Sequence, residues 1–246
     1  MIIHPFDLFV FFIAWFFQAF TGFGAGIFIV GLLSFIHSPK EVIVTSAVVN
    51  LFGTLFMATL LLKKVKPRLD ILLPLIAGSV PGILLGSKTL FLLDRDALRI
   101  TIGSFILFLG LYDLLVQRKF LKSFSMKRSL GASLSTGFVG GFFAGLIGMG
   151  GPPPVVYLNQ VLEDVEEFKS TLTLFFTSNI IFRIIFYGLE GGSQHFSLSL
   201  IYAGALSIPL AVYLGLSLSR RLKPTQLKVL ISVSVVVLGV ALVIRH

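Results

Sequence analysis

Two runs of this chain combine residue types able to hold a small anion. They read Thr21-Gly22-Phe23-Gly24-Ala25-Gly26 and Ile147-Gly148-Met149-Gly150-Gly151-Pro152-Pro153-Pro154, and each interrupts a strongly apolar segment. A glycine lets a ligand approach the backbone because no Cβ intervenes. A helix that restarts after such a break exposes unpaired N–H groups and a partial positive charge, which favour anions. Gly24, Ala25 and Gly26, with Gly150 and Gly151, are expected to open the second half-helices, with Gly22 and Gly148 in the breaks themselves. Pro152 suits a first helical turn, where its missing N–H costs nothing. Gln18, Thr21, Ser46, Asn50, Thr177, Ser178 and Asn179 are polar groups that could complete a pocket. An asparagine amide can donate two hydrogen bonds to an oxyanion. For each serine or threonine the competing reading is a bond to its own helix, and for the glycines it is tight helix packing.

Arg183 follows Asn179 by four residues inside an apolar stretch, so both side chains share one helix face. A guanidinium within a membrane segment is costly and points to function, and its planar fork suits an oxyanion. The alternatives are snorkelling to the interface or pairing with an acid such as Asp113. Thr54, at the equivalent place in the first half, is uncharged.

The elements that must position these groups are membrane helices. The chain is 56% hydrophobic and 13% charged, about half the charge of a globular protein. Eight apolar segments run roughly over 6–36, 41–62, 69–90, 96–116, 129–161, 166–188, 196–218 and 226–244. Most match the roughly 20 residues needed to cross a bilayer, whereas the first and fifth are overlong and carry the glycine breaks. The expectation is an all-α integral membrane protein forming one transmembrane domain over 1–246.

Two homologous four-segment repeats, about 1–117 and 128–246, are joined by the basic stretch 117–128. The breaks recur at an offset of 126 residues, Ser79-Val80-Pro81 and Ser207-Ile208-Pro209 at 128, and Asn50 and Asn179 at 129, as do Leu98-Arg99-Ile100 and Leu227-Lys228-Val229. Paired interruptions at corresponding places in two halves point to a transporter's substrate site, because irregular backbone at membrane depth must line protein or water.

Basic residues set the topology. If all eight segments cross, Lys and Arg in the loops and termini divide ten against eight between the two sides. If each broken segment enters, turns at its glycines and leaves by the same side, the division is thirteen against five. The second arrangement fits the positive-inside rule. It gives three spans and one re-entrant hairpin per half, and an odd number of spans inverts the second half.

Other chemistries are poorly supported. The net charge of +9 comes from interhelical loops rather than a nucleic-acid surface. The absence of cysteine excludes disulfides and thiolate sites. His4, His37, His195 and His246 all lie at segment ends, and no zinc-protease, nucleophile-elbow or Walker motif occurs. No enzyme, metal or cofactor is expected. Glu163, Asp164, Glu166 and Glu167 read as a solvated acidic loop. Met1-Ile2-Ile3-His4-Pro5 lacks the basic start of a cleavable signal peptide, so the first apolar segment is expected to remain.

At the same residues the chain resembles the TauE/SafE sulfite exporter family. The resemblance rests on Gly140-Gly141-Phe142-Phe143-Ala144-Gly145-Leu146-Ile147-Gly148-Met149-Gly150-Gly151 and on small-residue helices carrying Thr45-Ser46-Ala47-Val48-Val49-Asn50 and Thr177-Ser178-Asn179. It spans essentially the whole chain. Pro152-Pro153-Pro154 departs from the family's usual further glycine and small apolar residues. Membership implies an inner-membrane, multi-pass secondary transporter of small anions such as sulfite, sulfonates or other organosulfur oxyanions, with some members associated with carboxylates. An exporter working by alternating access is expected, with an anion channel or a carboxylate permease as alternatives. The expected partners are a small anion and the lipid bilayer, with a homo-oligomer left open.

Overall fold

The computed structural model describes residues 4–62, 65–117, 120 and 126–219. The eighth apolar segment, the match at Leu227-Lys228-Val229, most of the basic joint and the Asp113 side chain lie outside what is described. Among the described residues the chain forms nine α-helices and no strand: α1 (Pro5–Thr21), α2 (Ala25–Leu33), α3 (Pro39–Leu61), α4 (Leu69–Leu92), α5 (Arg95–Gln117), α6 (Leu130–Ile147), α7 (Pro152–Val161), α8 (Val165–Leu189) and α9 (Leu198–Ser219). Five of them, α3, α4, α6, α8 and α9, are long and apolar enough to cross a bilayer.

Local chemistry sets the ends. Prolines occupy the first turns of α1, α3 and α7, where no hydrogen bond is lost. Ser129 caps α6 by accepting from the Ala132 N–H at 3.1 Å, and Asp164 caps α8 by accepting from the Glu167 N–H at 2.7 Å, as short oxygen-bearing side chains do. Asp164, in the acidic loop, is thus a helix cap.

The overlong first and fifth segments each resolve into two helices joined at glycine. α1 stops at Gly22, which is left-handed at φ 95° with its N–H bonded to Gln18 O at 2.7 Å, the usual glycine C-cap. Gly24 is also left-handed, at φ 115°, and α2 begins beside it. α6 ends on Gly148 at φ 75°.

At both breaks the chain doubles back. Asp7 and His37, thirty residues apart, meet at 3.0 Å; in one straight helix they would stand about 45 Å apart. Phe17 of α1 stacks on Phe28 of α2 with ring centroids 5.2 Å apart. In the second hairpin the Ser133 and Tyr157 hydroxyls lie 2.8 Å apart, and a Cβ placed on Gly140 would lie 2.9 Å from Pro154 Cγ.

The remaining contacts sort the loops into two ends of the molecule. At one end Arg68 bonds Asp70 at 3.1 Å and lies 3.7 Å from Glu167, its backbone N–H donates to Thr171 at 3.0 Å, and Arg128 pairs with Asp70. Lys169 donates to Ser219 there at 3.3 Å. Asp70 beside it raises the Arg68 guanidinium above its ordinary pKa. At the other end lie the Asp7–His37 pair, Lys40 donating to Phe91 O at 3.3 Å, and Thr45 donating to His195 O at 3.2 Å.

Each hairpin packs its first limb on a helix of the other half, α1 against α9 and α6 against α4. In the α4–α6 pair, Gly78, Gly82 and Gly86 face the carbonyls of Leu134, Phe138 and Phe142, and Gly137, Gly141 and Gly145 face those of Leu75, Ser79 and Ile83. Any side chain there would collide with backbone, so small residues let the two helices touch along their length. Gly215 of α9 faces Phe16 O in the same manner, and Ser207 donates to Leu8 O at 3.0 Å.

Candidate functional site

The tips of the two hairpins meet. A Cβ on Gly26 would lie 2.5 Å from Gly148 O, so the two breaks touch backbone to backbone. Around this junction is a cavity of about 60 Å³, enough for several waters or one small ion. Nine of the residues singled out from sequence line it: Gln18, Gly24, Gly26, Asn50, Gly148, Gly150, Gly151, Asn179 and Arg183. Five others lie elsewhere, among them Thr177, which donates to Thr173 O of its own helix at 2.8 Å. Thr21 donates to Phe17 O and Phe23 O at 2.8 and 2.7 Å, tying the turn. Gly22 packs toward Phe168 and Leu172 of α8. Ser46 donates to Ile43 O at 2.9 Å within its own helix, and Ser178 is half-buried and lines no part of the cavity. Trp15, Phe23, Phe175 and Phe176 add an aromatic wall. Thr54, another lining residue, repeats in α3 the one-turn spacing that places Arg183 after Asn179 in α8; that spacing is the signal that could have found it.

The cavity is rich in donors. The backbone N–H groups of Gly24, Gly26, Gly150 and Gly151 donate to no acceptor among the described residues. Gln18 is spent on the break itself: its Oε1 accepts from the Ala25 N–H at 3.0 Å and its Nε2 donates to Gly22 O at 3.4 Å. Asn50 accepts from Trp15 Nε1 at 3.2 Å, which leaves its amide N–H groups for the cavity. The two breaks are unequal: residues 152–154 are all proline, so the first turn of α7 presents no N–H, and the second break donates only through Gly150 and Gly151.

Arg183 is 3% exposed and is the one charged side chain among the described residues that line the cavity. No carboxylate of the described residues lies within ion-pair distance of it. Its Nε donates to the Tyr187 hydroxyl at 3.2 Å and its Nη2 to Ile43 O at 3.3 Å, while Nη1 has no partner among the described residues. Tyr187, itself buried, donates to Gly145 O at 2.7 Å. The guanidinium also lies 5.4 Å from the Tyr187 ring centre. The cation is therefore steadied by the Ile43 carbonyl, by a hydroxyl that is itself anchored on the last carbonyls of α6, and by an aromatic face, with no neutralising acid among the described residues. Such a buried charge favours an anion at its free edge.

These features define a multi-pass membrane protein with a donor-lined cavity where two broken helices meet. The chain belongs to the sulfite exporter TauE/SafE family, whose profile matches residues 8–242; it is accordingly a transporter and not an enzyme. A relative from Cupriavidus necator, described as a probable sulfite/organosulfonate exporter TauE, is 27% identical over 215 residues, covering 85% of this chain and 80% of that protein. No solved structure matches the chain.

Proposed function

We propose that the chain is a secondary transporter that exports a small oxyanion, such as sulfite, a sulfonate or another organosulfur anion, across the inner membrane by alternating access. The observation that carries this reading is Arg183: a buried guanidinium with no acid beside it among the described residues, at a cavity edged by four glycine N–H groups that find no acceptor among those residues. An inside-negative potential favours outward movement of an anion by about 2.3 kcal/mol per charge per 100 mV, so export needs no proton relay. The relative's description and the family support the substrate class.

The same reading gives two inverted repeats of three spans and one re-entrant hairpin, over about 1–117 and 128–246. Its support is the reciprocal packing of α1 on α9 and α6 on α4, with α3 meeting α9 as α8 meets α4. Each hairpin opens toward a different end of the molecule. The basic end, with Arg68, Arg128 and Lys169, is then cytoplasmic by the positive-inside rule.

The test is counterflow in proteoliposomes. Sulfite-loaded vesicles bearing the protein should accumulate labelled sulfite with saturable kinetics, and Arg183→Gln vesicles should not. Conductance far above carrier turnover would instead make the same cavity a channel filter, and absence of any anion flux would end the proposal.

A further inference from the structure

Asn179 holds a buried polar atom that finds no partner among the described residues. Its Nδ2 donates to Phe175 O of its own helix at 3.0 Å. That carbonyl can only accept, so the contact fixes which end of the amide is nitrogen. The Oδ1 that remains is buried and meets no donor among the described residues, on a residue that is 3% exposed and lines the cavity. A buried acceptor left unpaired is costly, and the side-chain amide oxygen at the first break, Gln18 Oε1, already accepts from the protein. Asn50, its counterpart in α3, differs: its Oδ1 is filled by Trp15 Nε1. Among the described side-chain amides of the cavity the free acceptor therefore occurs once, one turn from Arg183.

We infer that the ligand of this site is a monoanion that carries a hydrogen-bond donor of its own, with Asn179 Oδ1 as the residue that selects it. This rests on the anion-binding reading above and deepens it. Among the described residues one lining cation without a carboxylate balances a single negative charge. The unpaired N–H groups and Arg183 Nη1 take the anionic oxygens, and Asn179 takes the O–H or N–H. Hydrogensulfite, a hydroxylated sulfonate or sulfamate meets this description. Sulfate lacks the donor and carries a second charge, and an alkyl sulfonate lacks the donor.

Sulfamate and methanesulfonate isolate the effect, since both are small tetrahedral monoanions and differ in an amino against a methyl group. Binding of each to the purified full-length protein is measured by calorimetry, in the wild type, in Asn179→Leu and in Arg183→Gln. Sites built to pair a ligand donor reject analogues lacking it by large factors. The expected result is sulfamate at least about tenfold tighter than methanesulfonate in the wild type, the gap closing in Asn179→Leu, and both lost in Arg183→Gln. Equal binding of the two anions to the wild type overturns the inference while leaving an anion site intact, and needs no variant to fold. A preference that survives in Asn179→Leu removes Asn179 as its source. Failure of both anions to bind the wild type overturns the anion site and this inference together.

Discussion

Arg183 and Tyr187 work as a pair one helical turn apart. Replacing Arg183 with Lys keeps the charge but loses the fork that spans Tyr187, Ile43 O and the cavity; Arg and Lys are not equivalent where several directed bonds are made. Arg183→Lys is expected to keep the protein folded in detergent and to weaken anion binding by at least about tenfold, corresponding to loss of one charge-assisted hydrogen bond. Tyr187→Phe removes the hydroxyl that joins Arg183 to Gly145 O. It should weaken binding by a similar factor, read as a rightward shift of the anion titration with little change in the amount of folded protein. At this scale the sequence carried much of the information. Arg183 and Asn179 stand out as polar groups in an apolar run, and their spacing places them on one face. Tyr187 does not stand out, because a tyrosine near a helix end is ordinary in a membrane protein and only its contact with the α6 carbonyls marks it. Thr21 and Ser46 look equally eligible from sequence, yet their hydroxyls bond nearby backbone, a choice that residue type alone cannot reveal.

Glycines at the element scale divide into two jobs that the sequence presents as one motif. In the run from Gly140 to Gly151, Gly141 and Gly145 pack on α4, while Gly148, Gly150 and Gly151 edge the cavity. Helical period separates them only once the partner helix is known, so tight packing and ligand approach are both correct for different members. The two jobs predict different defects. Gly82→Ala would drive a Cβ into Phe138 O and should lower the detergent melting temperature, with loss of about 1–3 kcal/mol typical of overpacking. Gly26→Ala would press on Gly148 O at the tip junction, where α2 is short. It should abolish counterflow while lowering the melting temperature less than Gly82→Ala does. Equal thermal losses in the two variants would contradict this division. The triple proline is another local feature whose effect depends on the neighbours: it starts α7 well but removes the amides that a second half-helix would otherwise contribute.

Across the whole molecule, the chain's lack of cysteine makes topology directly measurable. Single substitutions Lys40→Cys and Lys66→Cys lie near the two opposite ends. A membrane-impermeant thiol reagent applied to intact spheroplasts should label Cys at 40 and spare Cys at 66; the same pattern of protection for both would contradict the proposed arrangement. The tally of basic residues favours broken segments that re-enter the membrane, and the Asp7–His37 and Ser133–Tyr157 contacts bring the two limbs of each broken segment side by side. The exchange of limbs between halves was not legible. Nothing in the spacing of α1 or α6 says whether its partner is its own half or the other, because any small-residue stripe can accept any close-packing neighbour.

The glycine seam between α4 and α6 also restricts how the protein can move. Six positions without side chains bring main chain against main chain, so a slide of even a fraction of a turn would set bulky neighbours such as Phe138 or Phe142 where only hydrogen now fits. Two helices cogged in this way travel together as a keel. Under the alternating access proposed above, the swing that uncovers the cavity to each compartment in turn has its hinge outside this seam.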